Sequence, residues 1–270
     1  MKKMMALLLA AMMLLGMTAM ASADQLSDIQ AKGVLELGAN IEFPPYEFYW
    51  TNPETGKEEI AGFDMALAKG IAQELGVELK INDQAFSGLV TALSVGELDM
   101  VISGLAIKPE RLEVVDFSDP DFSGEQIMLV RAADFDTLKT VEDMAGKKVG
   151  AQLGALQQGL LEEQFSASEP LLLDKPSILA MELASGNIDG WLITDLVAKQ
   201  YMVVYPGVFQ ISDVPVQYDS SAGIGAAVPK GDNASLLAIV NAYIAKVKAD
   251  GTWDQWMDDA VTKSVSLLAE

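Results

Sequence analysis

Apolar and polar positions along this chain alternate between a period of about two residues and one of about 3.6, the spacings of strand and helix. Val34-Leu-Glu-Leu-Gly-Ala39 reads as a buried strand. It runs into Asn40-Ile-Glu-Phe-Pro-Pro-Tyr-Glu-Phe48, where two prolines stop strand and helix alike. Residues 51–59 are polar, with Asn-Pro and Thr-Gly pairs, and read as a solvated hairpin tip. Met65, Ala68, Ile71, Ala72 and Leu75 then fall at helical spacing, with Gly76 placed to cap the end. Val77, Leu79 and Ile81 alternate as a strand, and Ser87 is placed to cap a helix carrying Leu89, Val90, Ala92 and Leu93. Residues 99–103 are a short apolar strand.

Strand, helix, strand, helix, strand predicts a parallel α/β sheet. In such sheets ligands sit at the carboxyl ends of strands, which singles out residues 40–43, Phe86 and residues 103–106. After a strand at 126–131 and a polar stretch, the same grammar restarts. Strands are predicted at 148–152, 171–173 and 188–193, with helices opening at 154, 176 and 195. A glycine-rich strand over 222–229 and an amphipathic helix over 234–247 follow. The strands at 126–131 and 222–228 bracket the second unit, as two crossings into an inserted lobe would. The expected division is residues 24–129 with 225–270 as one lobe and 130–224 as the other.

The first 23 residues carry an export signal: Lys2 and Lys3, an apolar run over 4–17, and the small residues Ala21 and Ala23 before the expected cut. No cysteine stands there, so a soluble, exported protein without a lipid anchor is expected. Removing Lys2 and Lys3 leaves 16 basic against 39 acidic residues, a charge of −23. That balance argues against nucleic acid and anionic lipid as partners. With no histidine and no cysteine, Ser-His-Asp and Cys-His catalysis, disulfides and almost every zinc site are excluded. The acidic stretch Asp116–Asp121 lacks the glycine and terminal glutamate of a calcium loop, so neither metal nor cofactor is expected.

Only two arginines occur, and Arg111 follows the Ser103-Gly104 turn. It reads either as an ion-pair partner of Glu110, Glu113 or Asp116, or as a two-pronged holder of a ligand carboxylate, a geometry lysine cannot offer. Trp191, Trp253 and Trp256 read as packing residues. Glu42 is either a solvated rim group or a partner for a ligand amine, and Tyr46 either packs under the Pro-Pro turn or touches ligand. Gln157, at a helix start, can donate and accept.

Phe43-Pro-Pro-Tyr-Glu-Phe48, Gly62-Phe-Asp64, Phe86-Ser-Gly-Leu89, Ile102-Ser-Gly104, Pro109-Glu-Arg111, Asp116-Phe-Ser-Asp119 and Lys248-Ala-Asp-Gly-Thr252 appear in the order found in one family. The chain resembles the periplasmic amino-acid-binding proteins of ABC importers. That resemblance implies the type II periplasmic-binding-protein fold, two α/β lobes joined by two strands and closing on one ligand. It implies a monomer that delivers its ligand to a membrane ABC permease. By the same resemblance Arg111 grips the α-carboxylate, Phe43 and Phe86 flank the side chain, and backbone groups around Ser103 and Gly104 hold the amino and carboxylate groups. The helix start at Ala155, Leu156 and Gln157 completes the carboxylate site.

Three positions depart from the family pattern. Ala106 and Ala155 replace hydroxyl residues, and Thr194 stands where an acid normally holds the ammonium. Asp195 is one residue late, which on a strand turns a side chain to the other face. Three alternatives remain: Asp195 bends in, Glu42 or another acid substitutes, or the ligand is not a standard α-amino acid. The competing activity is a carboxylate-dependent lyase on the same fold, resembling cyclohexadienyl dehydratases, although no acid stands out where one is wanted.

Overall fold

The structure, a computed structural model, describes residues 24–266; the export signal expected over 1–23 lies outside them. In chain order the first unit runs α1 (Gln25–Lys32), β1 (Val34–Ala39), β2 (Glu42–Phe43), β3 (Glu47–Thr51), β4 (Glu58–Ala61) and α2 (Phe63–Leu75). It continues through β5 (Glu78–Asp83), α3 (Leu89–Ser94), β6 (Met100–Val101), α4 (Pro109–Leu112) and β7 (Val115–Phe117). The second runs β8 (Gln126–Arg131), β9 (Lys148–Gln152), α5 (Leu156–Gln164), β10 (Glu169–Leu173), α6 (Pro176–Ala184), β11 (Gly190–Thr194), α7 (Asp195–Val204) and β12 (Phe209–Ile211). The chain then returns with β13 (Ala227–Pro229), α8 (Ala234–Ala249) and α9 (Thr252–Ser266).

Two five-stranded sheets result, ordered β5-β1-β6-β13-β7 and β10-β9-β11-β8-β12, with β2-β3-β4 as a separate antiparallel sheet. β1 pairs in parallel with β5 and β6, and β9 with β10 and β11. The strands on either side of the crossings, β8 and β13, run antiparallel to their neighbours. This is the two-lobed, type II arrangement.

Three expectations need correction. The boundary at 129/130 cuts β8, which pairs with β11 from Gln126 to Val130 and with β12 from Leu129 to Arg131 and therefore belongs to the second sheet. The strand expected over 222–229 is regular only from Ala227; before it Ile224 makes single bridges to Ala106 and Phe122. Ser87 does not cap a helix: residues 86–88 form a 3₁₀ turn, and its hydroxyl donates instead to Asp174 at 2.6 Å.

Apolar spacing explains the packing of α2, which buries Phe63, Met65, Leu67, Ala68, Ile71 and Leu75. Its start requires glycine: Gly62 has φ +122°, and a Cβ there would lie 1.9 Å from the Tyr46 carbonyl oxygen. Trp191 is fully buried, edge-on to Tyr201 at 5.1 Å, and Trp253 packs on Phe63 at 5.6 Å, both as core residues. The last helix touches both lobes: Ser264 on α9 donates to Gln200 on α7 at 2.7 Å, with both side chains buried.

Candidate functional site

Phe43, Tyr46, Phe86, Gly104 and Ala106 on the first lobe face Gln152, Ala155, Leu156, Gln157 and Thr194 on the second across a narrow cavity. Strand ends and helix starts bring them together. Phe43 ends β2, Gln152 ends β9, Thr194 ends β11, and Ala155 is the N-cap of α5. Phe43 and Tyr46 stack with ring centroids 5.0 Å apart. Gln157 Nε2 donates to Gln126 Oε1 at 2.7 Å and to Thr194 Oγ1 at 3.4 Å, tying the second-lobe wall into one neutral polar surface. No charged side chain among the described residues lines the cavity.

Arg111 lies behind this wall, 6% exposed. Its Nη1 donates to the Ala106 carbonyl at 2.7 Å and its Nη2 crosses to the Gly154 carbonyl of the second lobe at 2.9 Å. Its Cζ sits 5.8 Å from the centre of the Phe86 ring. The surface ion-pair alternative fails: Glu110 pairs with Lys108 at 2.6 Å and Asp116 with Lys230 at 2.7 Å, and among the described residues Arg111 has no ion-pair partner. Burial, opposed only by Glu110 and Tyr218, pulls the guanidinium down to about 10. Two of its five N–H donors are used on carbonyls. Beside it, α5 starts at an alanine that offers no side-chain cap, leaving the first amides of that helix open.

Polar groups at four of the expected contact residues have protein partners. The Ser103 hydroxyl accepts from the Asn40 amide at 3.0 Å and donates to Glu47 at 2.5 Å. The Gly104 amide donates to Asp64 Oδ2 at 2.7 Å, although Gly104 itself lines the cavity. Asp195 opens α7, where its carboxylate pairs with Lys199 at 2.7 Å, one turn along. Glu42 pairs with Lys175 and accepts from Ser177 at 2.9 Å, both on the second lobe. It is therefore part of a latch between lobes, joined by Ser87 to Asp174 and by Gln152 Nε2 to Asn40 at 3.2 Å. Gly154 sits in this seam with φ +75°; a Cβ there would approach the Ser87 Cα at 3.0 Å.

Behind Ser103 and Gly104 lies a pair of buried carboxyls. Glu47 is 0% and Asp64 1% exposed, and they lie close enough for each to shift the other's titration. Glu47 Oε2 and Asp64 Oδ1 are buried without a hydrogen-bond partner, an environment that disfavours the charged form of both. Burial, then the Asp64 charge, drives Glu47 far above the carboxylate range. Burial pushes Asp64 up to about 7, against the Gly104 amide that favours its ionised form. Burial and Asp64 also raise Asp121 nearby.

Sequence reasoning missed Gln126, Gln152 and Tyr218, which also line the cavity. The carboxyl-end rule, applied to β9 as it was to β1, would have found Gln152; Gln126 sits at the same edge because β8 runs antiparallel. Tyr218 lies in an irregular segment with no periodic signal.

Residues 35–261 match the bacterial extracellular solute-binding proteins, family 3, and the chain belongs to that family. It is 31% identical over 228 residues to the ABC transporter arginine-binding protein 1 of Escherichia coli K12, covering 82% of this chain and 90% of that one. Its fold superposes with a TM-score of 0.84 on the amino acid ABC transporter substrate-binding protein AbpA from Streptococcus pneumoniae, bound to L-arginine; the two are 33% identical over 88% of this chain and 99% of that one. A TM-score of 0.76, with 31% identity over 88% of this chain and all of the other, relates it to the ancestral amino acid-binding protein AncCDT-1, a precursor of cyclohexadienyl dehydratase. No helix among the described residues is long and apolar enough to cross a membrane.

Proposed function

We propose that this protein is the soluble binding component of an ABC importer for a small amino acid or related carboxylate. It captures that ligand between its lobes and presents it to a membrane permease as a monomer, after export and cleavage following Ala23. The observation that carries the reading is Arg111: a buried guanidinium, without an acidic partner among the described residues, beside an open helix start. A buried, unpaired charge is strongly disfavoured, and an incoming carboxylate relieves it with two parallel hydrogen bonds. Phe43, Tyr46 and Phe86 then hold the remainder of the ligand, with Ala106, Ala155, Leu156, Gln157 and Thr194 completing the enclosure. The names of the relatives support an amino-acid-type solute and an ABC partner.

The binding reading is preferred over a lyase because no carboxyl among the described residues lines the cavity, and the buried Glu47–Asp64 pair is sealed from it. Ligand at about a hundred times its dissociation constant stabilises the fold by ~2.7 kcal/mol. A thermal-shift panel of small carboxylates on ligand-free protein tests this. A response that Arg111→Ala removes supports the reading; no response to any carboxylate, or an unchanged response in Arg111→Ala, overturns it.

A further inference from the structure

The site provides for one sign of charge only. Arg111 and the start of α5 supply positive potential, while every wall residue is aromatic, aliphatic, amide, hydroxyl or glycine. No acid among the described residues lines the cavity, and the acids expected to serve an ammonium already have protein partners. Glu42 holds Lys175 and Ser177 of the opposite lobe. Asp195 holds Lys199, and its backbone amide is fixed to the Glu125 carbonyl at 2.9 Å, which anchors the turn that aims it. Asp174 accepts from Ser87, and Glu47 with Asp64 is closed off behind Ser103 and Gly104. Of the three alternatives left by Thr194, inward bending of Asp195 and substitution by Glu42 would each give up a lysine partner, and no other acid among the described residues lines the cavity to substitute.

A zwitterion enclosed here would satisfy its carboxylate and strand its ammonium, at the several-kcal/mol penalty of a buried charge without a partner. What the second lobe offers instead is neutral: the Thr194 hydroxyl and the amides of Gln126, Gln152 and Gln157, each able to donate and accept. Such groups suit a carbonyl or hydroxyl oxygen.

The geometry points to a carboxylate ligand that carries no ammonium group, of the 2-oxo or 2-hydroxy acid type, in place of a standard α-amino acid. This rests on the carboxylate reading of Arg111 and narrows it.

The test is calorimetric titration of ligand-free protein with matched sets. Each set joins an α-amino acid to the 2-oxo, 2-hydroxy and deaminated acids bearing the same side chain, with aromatic, aliphatic and amide side chains represented. In the set that binds, the amino acid is expected to be weaker on the order of a hundredfold. Thr194→Asp adds an anion to the cavity wall and should reverse that order, its folding checked by circular dichroism. Amino acids that bind wild-type protein as tightly as their ammonium-free partners, and lose binding in Arg111→Ala, overturn the inference while sparing the carboxylate clamp. Absence of binding by every member of every set overturns both.

Discussion

The Glu47–Asp64 pair makes stability depend on pH in a direction opposite to that of ordinary surface acids. In the unfolded chain Asp64 titrates near 3.8; folded, burial raises it to about 7. Between these values the folded protein retains a proton that the unfolded chain releases. Stability from this group is therefore complete below about pH 4 and is lost as the pH rises through about 7. At about 1.4 kcal/mol for each pH unit of difference, Asp64 accounts for ~4 kcal/mol, with no discount for solvent because the side chain is buried. Glu47, raised further, extends the loss to higher pH.

The perturbation is the double replacement Glu47→Gln with Asp64→Asn, which keeps shape and removes both titrations. Glutamine still accepts from Ser103 and donates towards residue 64, and the asparagine oxygen still accepts the Gly104 amide. Urea unfolding followed by tryptophan fluorescence at pH 4.5, 6, 7 and 8 gives the stability of both proteins. Repulsion among the 39 acidic residues affects both, so the difference isolates the pair. The double variant should gain on the wild type with rising pH, by ~3 kcal/mol or more between pH 4.5 and 8, since Glu47 adds to the Asp64 share. A difference that does not change with pH would refute the raised titrations of the buried pair.

Removing the latch with Lys175→Ala breaks an ion pair whose lysine is half exposed, so it should weaken closure only slightly. Small-angle scattering should then record a more open ensemble, with ligand affinity falling by less than about tenfold; an unchanged scattering profile would deny the latch a role. Gly154→Ala forces a left-handed φ on alanine and pushes its Cβ against Ser87, so both stability, by ~1 kcal/mol, and ligand affinity should drop. If affinity in that variant stays at the wild-type level, the seam is looser than the structure implies. Trp191→Ala empties a fully buried site and should destabilise by ~3–5 kcal/mol in urea unfolding, which a loss under 1 kcal/mol would contradict.

Periodicity exposed most strands and helices, because each buries a face whose spacing the chain must respect. The carboxyl-end rule led to Phe43, Phe86 and Ala106 for the same reason: crossover topology puts strand ends and helix starts on one edge. The resemblance supplied Ala155, Leu156, Gln157 and Thr194. What stayed hidden are relations with no local signature. Glu42 meets Lys175 across 133 positions, and Ser87 meets Asp174 across 87. Pattern could not tell that the Ser103 hydroxyl meets a buried acid, since strand, turn and burial look alike from either side. The position of β8 was misjudged because its pairing partners, β11 and β12, lie more than fifty residues downstream.

The bonds of the latch join protein to protein: Glu42 with Lys175 and Ser177, Ser87 with Asp174, and Gln152 with Asn40. They are available whether or not the cavity is filled. A closing equilibrium biased in this way sets a floor beneath the shut population, and bound solute needs to contribute only the rest. In a receptor read by its shape, that floor is background: an empty molecule that shuts resembles a loaded one. Strengthening the latch would raise apparent affinity and blur the distinction between the two. Weakening it would sharpen the distinction and demand more from the solute. The chemistry of one lysine just before α6 and one glutamate on β2 thus tunes the contrast of the signal, separately from the choice of what is bound.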